Sequence, residues 1–106
     1  MNEEIRLEFG TYEDRVWVFN ISGYDLTSVN LLSQIRDDAG VLLGAFNAIV
    51  VTPTQFNLSI TAATSGAIPP GSYKSDVYAT STATGLSRHI TPVFDVVVID
   101  RVTQPV

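Results

Sequence analysis

Apolar and polar side chains alternate with a period of two along most of this chain, which is the pattern of β-strands that bury one face. Ile5, Leu7 and Phe9, for example, are separated by Arg6 and Glu8. Seven or eight short strands are predicted, over residues 5–9, 16–21, 29–36, 41–46, 48–52, 56–60, 72–80 and 93–99. The second segment should be the more buried, because apolar residues fill both of its alternating sets of positions.

The segments between these strands carry turn signals. Asp37-Asp38-Ala39-Gly40 predicts a hairpin whose glycine takes a positive φ, and Pro53-Thr54-Gln55 predicts another. Residues 61–68 are too small and polar for a core strand, and they favour one helical turn capped by Thr61. Pro69-Pro70-Gly71 then predicts an extended segment and a sharp turn.

A tyrosine follows this crossing, at the start of a strand. In immunoglobulin-like domains the hydroxyl of such a tyrosine, two residues before the second disulfide cysteine, bonds back to the crossing loop. Tyr73 fits this position, and Ser75 stands where the cysteine would be. Trp17 lies too early for the usual Cys–Trp–Cys order, so an antibody-type domain is not expected. The alternative is that Tyr73 is an ordinary core tyrosine.

We therefore expect an all-β fold, an immunoglobulin-like antiparallel β-sandwich of seven to eight strands. Residues 1–100 are expected to form a single domain and residues 101–106 an extended C-terminal tail, because Pro105 discourages sheet pairing. The side chains expected in the core are Trp17, Phe19, Ile35, Phe56, Ile60, Tyr73, Val77, Phe94 and Val96.

Charge and composition narrow the possible partners. The net charge is −5 and the six basic residues are scattered, which argues against binding to nucleic acid or to an anionic membrane. The chain has no cysteine, so no disulfide or thiolate metal site is expected. Charged residues make up only 16%, which favours a homo-oligomer that covers neutral surface. Met1 to Glu4 do not resemble a secretory signal, so we expect folding in the cytoplasm unless a signal has been removed.

Residues that could support catalysis or metal binding have simpler explanations. His89 could act as a catalytic base only beside a nucleophile, and the sequence contains no Gly-x-Ser-x-Gly nucleophile motif. It is therefore expected to be a surface or interface histidine. Asp37 and Asp38 lack calcium-loop spacing and fit a hairpin turn. Acidic residues near the N-terminus are expected on solvated strand faces: Glu3, Glu4, Glu8, Glu13 and Asp14. We expect no enzymatic activity and no cofactor.

A series of short motifs resembles a family of structural proteins and N-terminal modules of tailed bacteriophages. The resemblance covers about residues 8–105. The motifs are Tyr24-Asp25-Leu26-Thr27, Gln34-Ile35-Arg36-Asp37, Gly40-Val41-Leu42-Leu43, Ile60-Thr61-Ala62-Ala63-Thr64, Ile68-Pro69-Pro70-Gly71-Ser72-Tyr73, Asp76-Val77 and Val102-Thr103-Gln104-Pro105. Members often carry an arginine where this chain has Gln104, and a Gly-Asp-Thr turn where it has Gly10-Thr11-Tyr12.

The resemblance implies a virion structural protein made in the host cytoplasm, an assembly or adaptor module of the tail, baseplate or fibre attachment. Its partners would be other virion proteins and copies of itself, with ring or trimeric symmetry. The alternatives are a capsid decoration protein, or a carbohydrate-binding or adhesin module. Candidate interface residues are Tyr12, Tyr24, Tyr78, Val102 and Val106.

Overall fold

The computed structural model describes residues 5–101 and consists mainly of β-strands. Within that range the elements are β1 (Arg6–Gly10), β2 (Arg15–Asn20), β3 (Val29–Arg36), β4 (Leu42–Thr52), β5 (Gln55–Ile60), α1 (Ala62–Ala67), β6 (Gly71–Ser75), β7 (Tyr78–Ser81), β8 (Ser87–His89) and β9 (Phe94–Ile99). The all-β class expected from the sequence is confirmed.

The strands follow one hydrogen-bonded path, β1-β9-β6-β3-β4-β5-β2, which folds over into a nearly closed sandwich. One layer contains β1, β9, β6 and β3, with β7 and β8 attached, and the other contains β5 and β2. The long strand β4 belongs to both layers. Its residues 42–46 pair with β3, and its residues 47–52 pair with β5.

The described strands differ in number from the seven or eight expected, since there are nine of them. The expected strand 72–80 is divided at Val77, whose N–H donates to Thr91 Oγ1 instead of a strand carbonyl. The polar segment Ser87–His89 is a further strand, paired with β7. Conversely, the two strands expected over residues 41–46 and 48–52 form the single strand β4. They are continuous because Asn47 between them pairs with Ser59 of β5.

The sheet is not wholly antiparallel as expected, since β1 runs parallel to β9. All the other strand pairs are antiparallel. After β1 the chain leaves the first layer, and β2 pairs with β5 in the second layer.

Aromatic and aliphatic side chains from both layers fill the space between them. Phe9 and Phe46 meet edge to face at 6.3 Å between ring centroids, and Phe19 stacks on Phe56 at 5.1 Å. Six of the nine expected core residues are buried: Ile35, Phe56, Ile60, Val77, Phe94 and Val96. The other three, Trp17, Phe19 and Tyr73, are half-buried and pack against the core.

The expectation that the second strand would be the more buried is wrong. In β2 only Trp17 and Phe19 turn toward the core, and Val16 and Val18 are 62% and 58% exposed. β2 therefore alternates like an ordinary two-faced strand. Its outer positions are apolar although no part of the described chain covers them.

Three expected local features are confirmed. Gly40 has φ +82°, and Asp37 Oδ1 accepts hydrogen bonds from the N–H groups of Ala39 and Val41, so this aspartate forms the hairpin turn. Thr61 caps α1 by accepting from the N–H of Thr64. The Tyr73 hydroxyl donates back to the Pro69 carbonyl within the crossing segment, as a tyrosine corner would.

Replacing Tyr73 by Phe tests the value of this last contact. We expect Tyr73→Phe to lower the free energy of unfolding by about 0.5–1.5 kcal/mol, the usual net value of one hydrogen bond. Urea unfolding followed by Trp17 fluorescence measures it, with Tyr12→Phe as a matched exposed control. An unchanged midpoint for Tyr73→Phe would show that the hydroxyl contributes nothing to the crossing.

Candidate interaction surfaces

The turn between β1 and β2 is docked onto α1 through a buried serine. Ser65 is fully buried, its Oγ lies 2.9 Å from both the N–H and the C=O of Glu13, and it accepts from the first and donates to the second. Asp14 Oδ1 accepts from the N–H of Ala62 at the start of the helix. These contacts satisfy polar groups of both segments and hold the entry to β2 in place.

The same turn is tied to the end of the last strand. The N–H of Thr11 donates to the Ile99 carbonyl, and Thr11 Oγ1 accepts from the N–H of Arg101. The Glu13 carboxylate accepts from the N–H of Gly10 and lies 3.7 Å from the Arg101 guanidinium. The first residue of the expected C-terminal tail therefore lies beside the β1–β2 turn.

The outer face of β2, β5 and β4 combines exposed aliphatic side chains with uncharged polar ones. Register places Val18, Asn57 and Ile49 in one row across the three strands, and Val16, Ser59 and Asn47 in the next row. Val16, Val18, Ile49 and the neighbouring Val51 are all at least half exposed. We call this surface the valine face and define it by Val16, Val18, Asn47, Ile49, Val51, Asn57 and Ser59.

Asn57 lies at the centre of the valine face, between Val18 and Ile49. Its side chain is half-buried, and Asn57 Oδ1 has no hydrogen-bond partner among the described residues. The carbonyl oxygen of this amide is thus buried among its neighbours, and the exposed aliphatic side chains of the row are Val18 and Ile49.

The valine face ends at an open strand edge. Among the described strands β2 pairs with β5 alone, so the backbone groups on its other side have no strand partner there. Edge strands usually carry charges, prolines or bulges that discourage pairing with another chain. β1, the other end of the path, carries Arg6 and Glu8, which form an ion pair at 3.1 Å. β2 has only Arg15, at its first position.

A groove of about 310 Å³ lies on the opposite layer, on the outer side of β3, β6, β7 and β8. Tyr78 stacks on His89 with 4.9 Å between ring centroids, and His89 Nε2 lies 3.4 Å from Asp76 Oδ2. The remaining lining includes Leu32, Gln34, Arg36, Lys74 and Val93. Lys74 forms an ion pair with Asp95, so the cations of the groove are partly neutralised.

The structure does not bring the candidate tyrosines together. Tyr12 lies against Gly66 of α1, where an added Cβ would overlap its ring. Tyr24 is half-buried against the core, with the Arg88 guanidinium 5.2 Å from its ring centroid. Tyr78 is partly exposed in the groove. The other two candidates, Val102 and Val106, lie outside the described residues.

The contacts of His89 are a carboxylate and a phenol ring, Asp76 and Tyr78. Over residues 5–101 no cluster of three or more histidine, aspartate and glutamate side chains is placed to hold a metal ion. Of the acidic residues near the N-terminus, Glu8 is paired with Arg6, and Glu13 and Asp14 bind backbone N–H groups. Glu3 and Glu4 lie outside the described range.

Sequence analysis missed the valine face, although it contained a signal for it. Val16-Trp17-Val18-Phe19 is apolar on both alternating sets of positions, and only one set of a strand in a two-layer sandwich turns toward the core. The other set must be covered by something else or stay exposed. The run predicts deeper burial only if both sets are covered, and in the structure Val16 and Val18 are the exposed set.

The sequence was also compared with protein-family models and with curated proteins, and neither comparison found a match. Within the described part of the chain, the short helix α1 falls far below the length and hydropathy needed to span a bilayer.

The docking of the β1–β2 turn can be tested through its buried serine. We expect Ser65→Ala to lower the free energy of unfolding by about 1–3 kcal/mol, because Glu13 loses both partners of its main-chain groups. Urea unfolding monitored by circular dichroism measures the change, with exposed Ser72→Ala as the matched control. Equal effects of the two substitutions would contradict the assigned role of Ser65.

Proposed function

We propose that this protein is a non-enzymatic assembly module that associates with copies of itself and with neighbouring proteins through the valine face. The observation that carries the proposal is an exposed, uncharged, largely apolar surface ending at an open strand edge. Contiguous apolar patches of this kind on small proteins mark interaction sites. An open edge strand whose single charge lies at its first residue adds a template for main-chain hydrogen bonds to a partner.

An immunoglobulin-like arrangement is the finer description of the fold that we propose. In that arrangement one sheet pairs the second strand with the fifth, and the other contains the third, sixth and seventh strands. In this chain β6 and β7 together would be the sixth strand, and β8 and β9 together the seventh. With that correspondence, the observed pairs β2–β5, β3–β6 and β6–β9 support the arrangement. The hydrogen bond from Tyr73 to Pro69 supports it independently.

We further propose that the assembly is the tail, baseplate or fibre attachment of a tailed bacteriophage. Support comes from the ordered motifs between Tyr24 and Pro105 and from the valine face, which suits a protein repeated many times in a particle. Immunogold labelling of intact particles is the direct test. Label repeated at the tail or fibres is expected, label on the head would assign capsid decoration instead, and unlabelled particles would contradict a place in the virion.

Charge placed on the valine face should weaken self-association. We expect the full chain to associate reversibly, and Val18→Lys to raise its dissociation constant at least about tenfold, a loss of ~1.4 kcal/mol. The physical reason is that the contact would lose apolar area and bury an unpaired ammonium group. Sedimentation velocity over a range of concentrations measures the constant.

The matched control is Leu86→Lys, at a loop position that is 73% exposed. Both substitutions change the net charge from −5 to −4, so a general electrostatic effect would be equal in the two variants. A native chain that stays monomeric at every concentration would overturn self-association. Equal behaviour of the two variants would move the contact away from the valine face.

A second candidate function, carbohydrate binding, is supported by the groove on the other layer. Sugar-binding surfaces combine an aromatic ring with polar groups that hydrogen-bond hydroxyls, and Tyr78 lies there beside Gln34 and Asp76. Tyr78→Ala should abolish glycan-induced shifts in a ¹H–¹⁵N NMR titration, and Tyr12→Ala should leave them unchanged. Absence of shifts in the native protein across a glycan panel would eliminate this function.

A further inference from the structure

We propose that two copies of the chain pair through their β2 edges, antiparallel and about a two-fold axis at Trp17, so that β4-β5-β2 becomes a six-stranded sheet across both copies. The inference rests on the proposed function and specifies the first contact of the assembly. It identifies the occupant of the open edge as a second copy of this chain.

The first argument is the lack of protection at this edge. β2 extends for six residues, Arg15–Asn20, with neither proline nor glycine and with a single charge at one end. β1 carries two charged side chains on its exposed positions, and β8 is only three residues long with Arg88 at its centre. Short or charged edges resist pairing. Residues 47–52 of β4 pair only with β5 among the described strands and are also uncharged, but the register shift between Val50 and Thr52 interrupts that edge. Among these edges, β2 is therefore the one suited to pair with another strand.

The second argument comes from charge. Two copies that each carry −5 repel one another at most orientations. The rows that would continue across the new pair, Val18-Asn57-Ile49 and Val16-Ser59-Asn47, contain no ionisable group. Pairing at β2 thus brings together the parts of two acidic chains where repulsion is weakest.

The third argument is the symmetry of the sequence about Trp17. In an antiparallel pair, opposite residues point to the same face, so a two-fold axis must pass beside one residue that meets its own copy. With the axis at Trp17, Val16 of each copy lies opposite Val18 of the other. Both outer-face contacts are then valine against valine, and Arg15 faces Phe19 instead of a second arginine. An axis at Val18 would oppose Val16 to Asn20.

The size of the contact indicates its strength. Five opposed residues span roughly 17 Å of strand at about 3.4 Å per residue. A stable complex usually buries about 800 Å² on each partner, and one strand edge with two valine pairs provides less. The pair is therefore weak alone, and repetition in a symmetric assembly raises the effective concentration of neighbouring copies.

Cysteine cross-linking tests the pairing and its register, because the native chain has no cysteine. The variants Val16→Cys and Val18→Cys are prepared separately and mixed under mild oxidation. One of them is isotope-labelled, so that the mass of each disulfide-linked dimer distinguishes mixed from self-linked products. Opposed residues of an antiparallel pair have Cα separations that allow a disulfide. The mixed disulfide should form on the order of tenfold faster than the disulfide of Leu86→Cys with itself, because the paired copies hold the thiols at high effective concentration.

The outcomes separate this inference from the proposed function. Faster self-linking of Val18→Cys would overturn the Trp17-centred register, and a mixed disulfide no faster than the Leu86→Cys control would overturn the pairing through β2. If sedimentation still shows association in that case, the proposed function stands and only the inference fails. A chain that does not associate at all overturns both.

Hydrogen exchange on the unsubstituted chain checks the same pairing without a new side chain. Raising the protein concentration should slow exchange in β2 and leave β1 unchanged, because only β2 gains partners for its outward backbone groups. Slower exchange in β1 or in the groove strands, with β2 unaffected, would place the partner at another edge and overturn the pairing.

Discussion

The hydrogen bonds of Ser65 to Glu13 fix the place at which the chain crosses from one layer to the other. The chain leaves β1, the parallel neighbour of β9, and crosses to the second layer, where β2 pairs with β5. Ser65 and the helix N–H bound by Asp14 hold that crossing against α1. β2 therefore starts at a defined point and pairs with β5 on one side only among the described strands.

An open β2 edge explains why the valine face is unusual. A sandwich buries one side of each strand, and the other side is normally polar. Here the inner positions of β2 carry Trp17 and Phe19 against the core, and the outer positions carry valines. The sequence is thus apolar on both faces of a strand that has only one layer behind it. A partner strand paired beside β2 would bury part of each valine against a valine of the other copy.

Much of the fold could be predicted from the alternation of residues, because period-two patterns and turn residues act locally. The hairpin at Asp37–Gly40, the cap at Thr61 and the bond from Tyr73 follow from chemistry within a few residues. The parallel pairing of β1 with β9 and the exchange of partners along β4 depend on contacts between distant segments, which no local pattern encodes. For the same reason, the tyrosines named as interface candidates are spread over separate surfaces. The valine face, in contrast, has a local signal in the run Val16-Trp17-Val18-Phe19, which is apolar on both sets of positions.

The salt dependence of self-association tests the central claim most directly, because it separates an uncharged contact from an electrostatic one. A contact through the valine face contains no ion pair, and the approach of two chains with −5 each is opposed by repulsion. Added salt screens that repulsion, with a Debye length of about 10 Å at 0.1 M. Sedimentation equilibrium of the native chain should therefore show tighter association as sodium chloride rises from low to physiological concentration. Association that weakens with salt, or a monomer under all these conditions, would contradict the account.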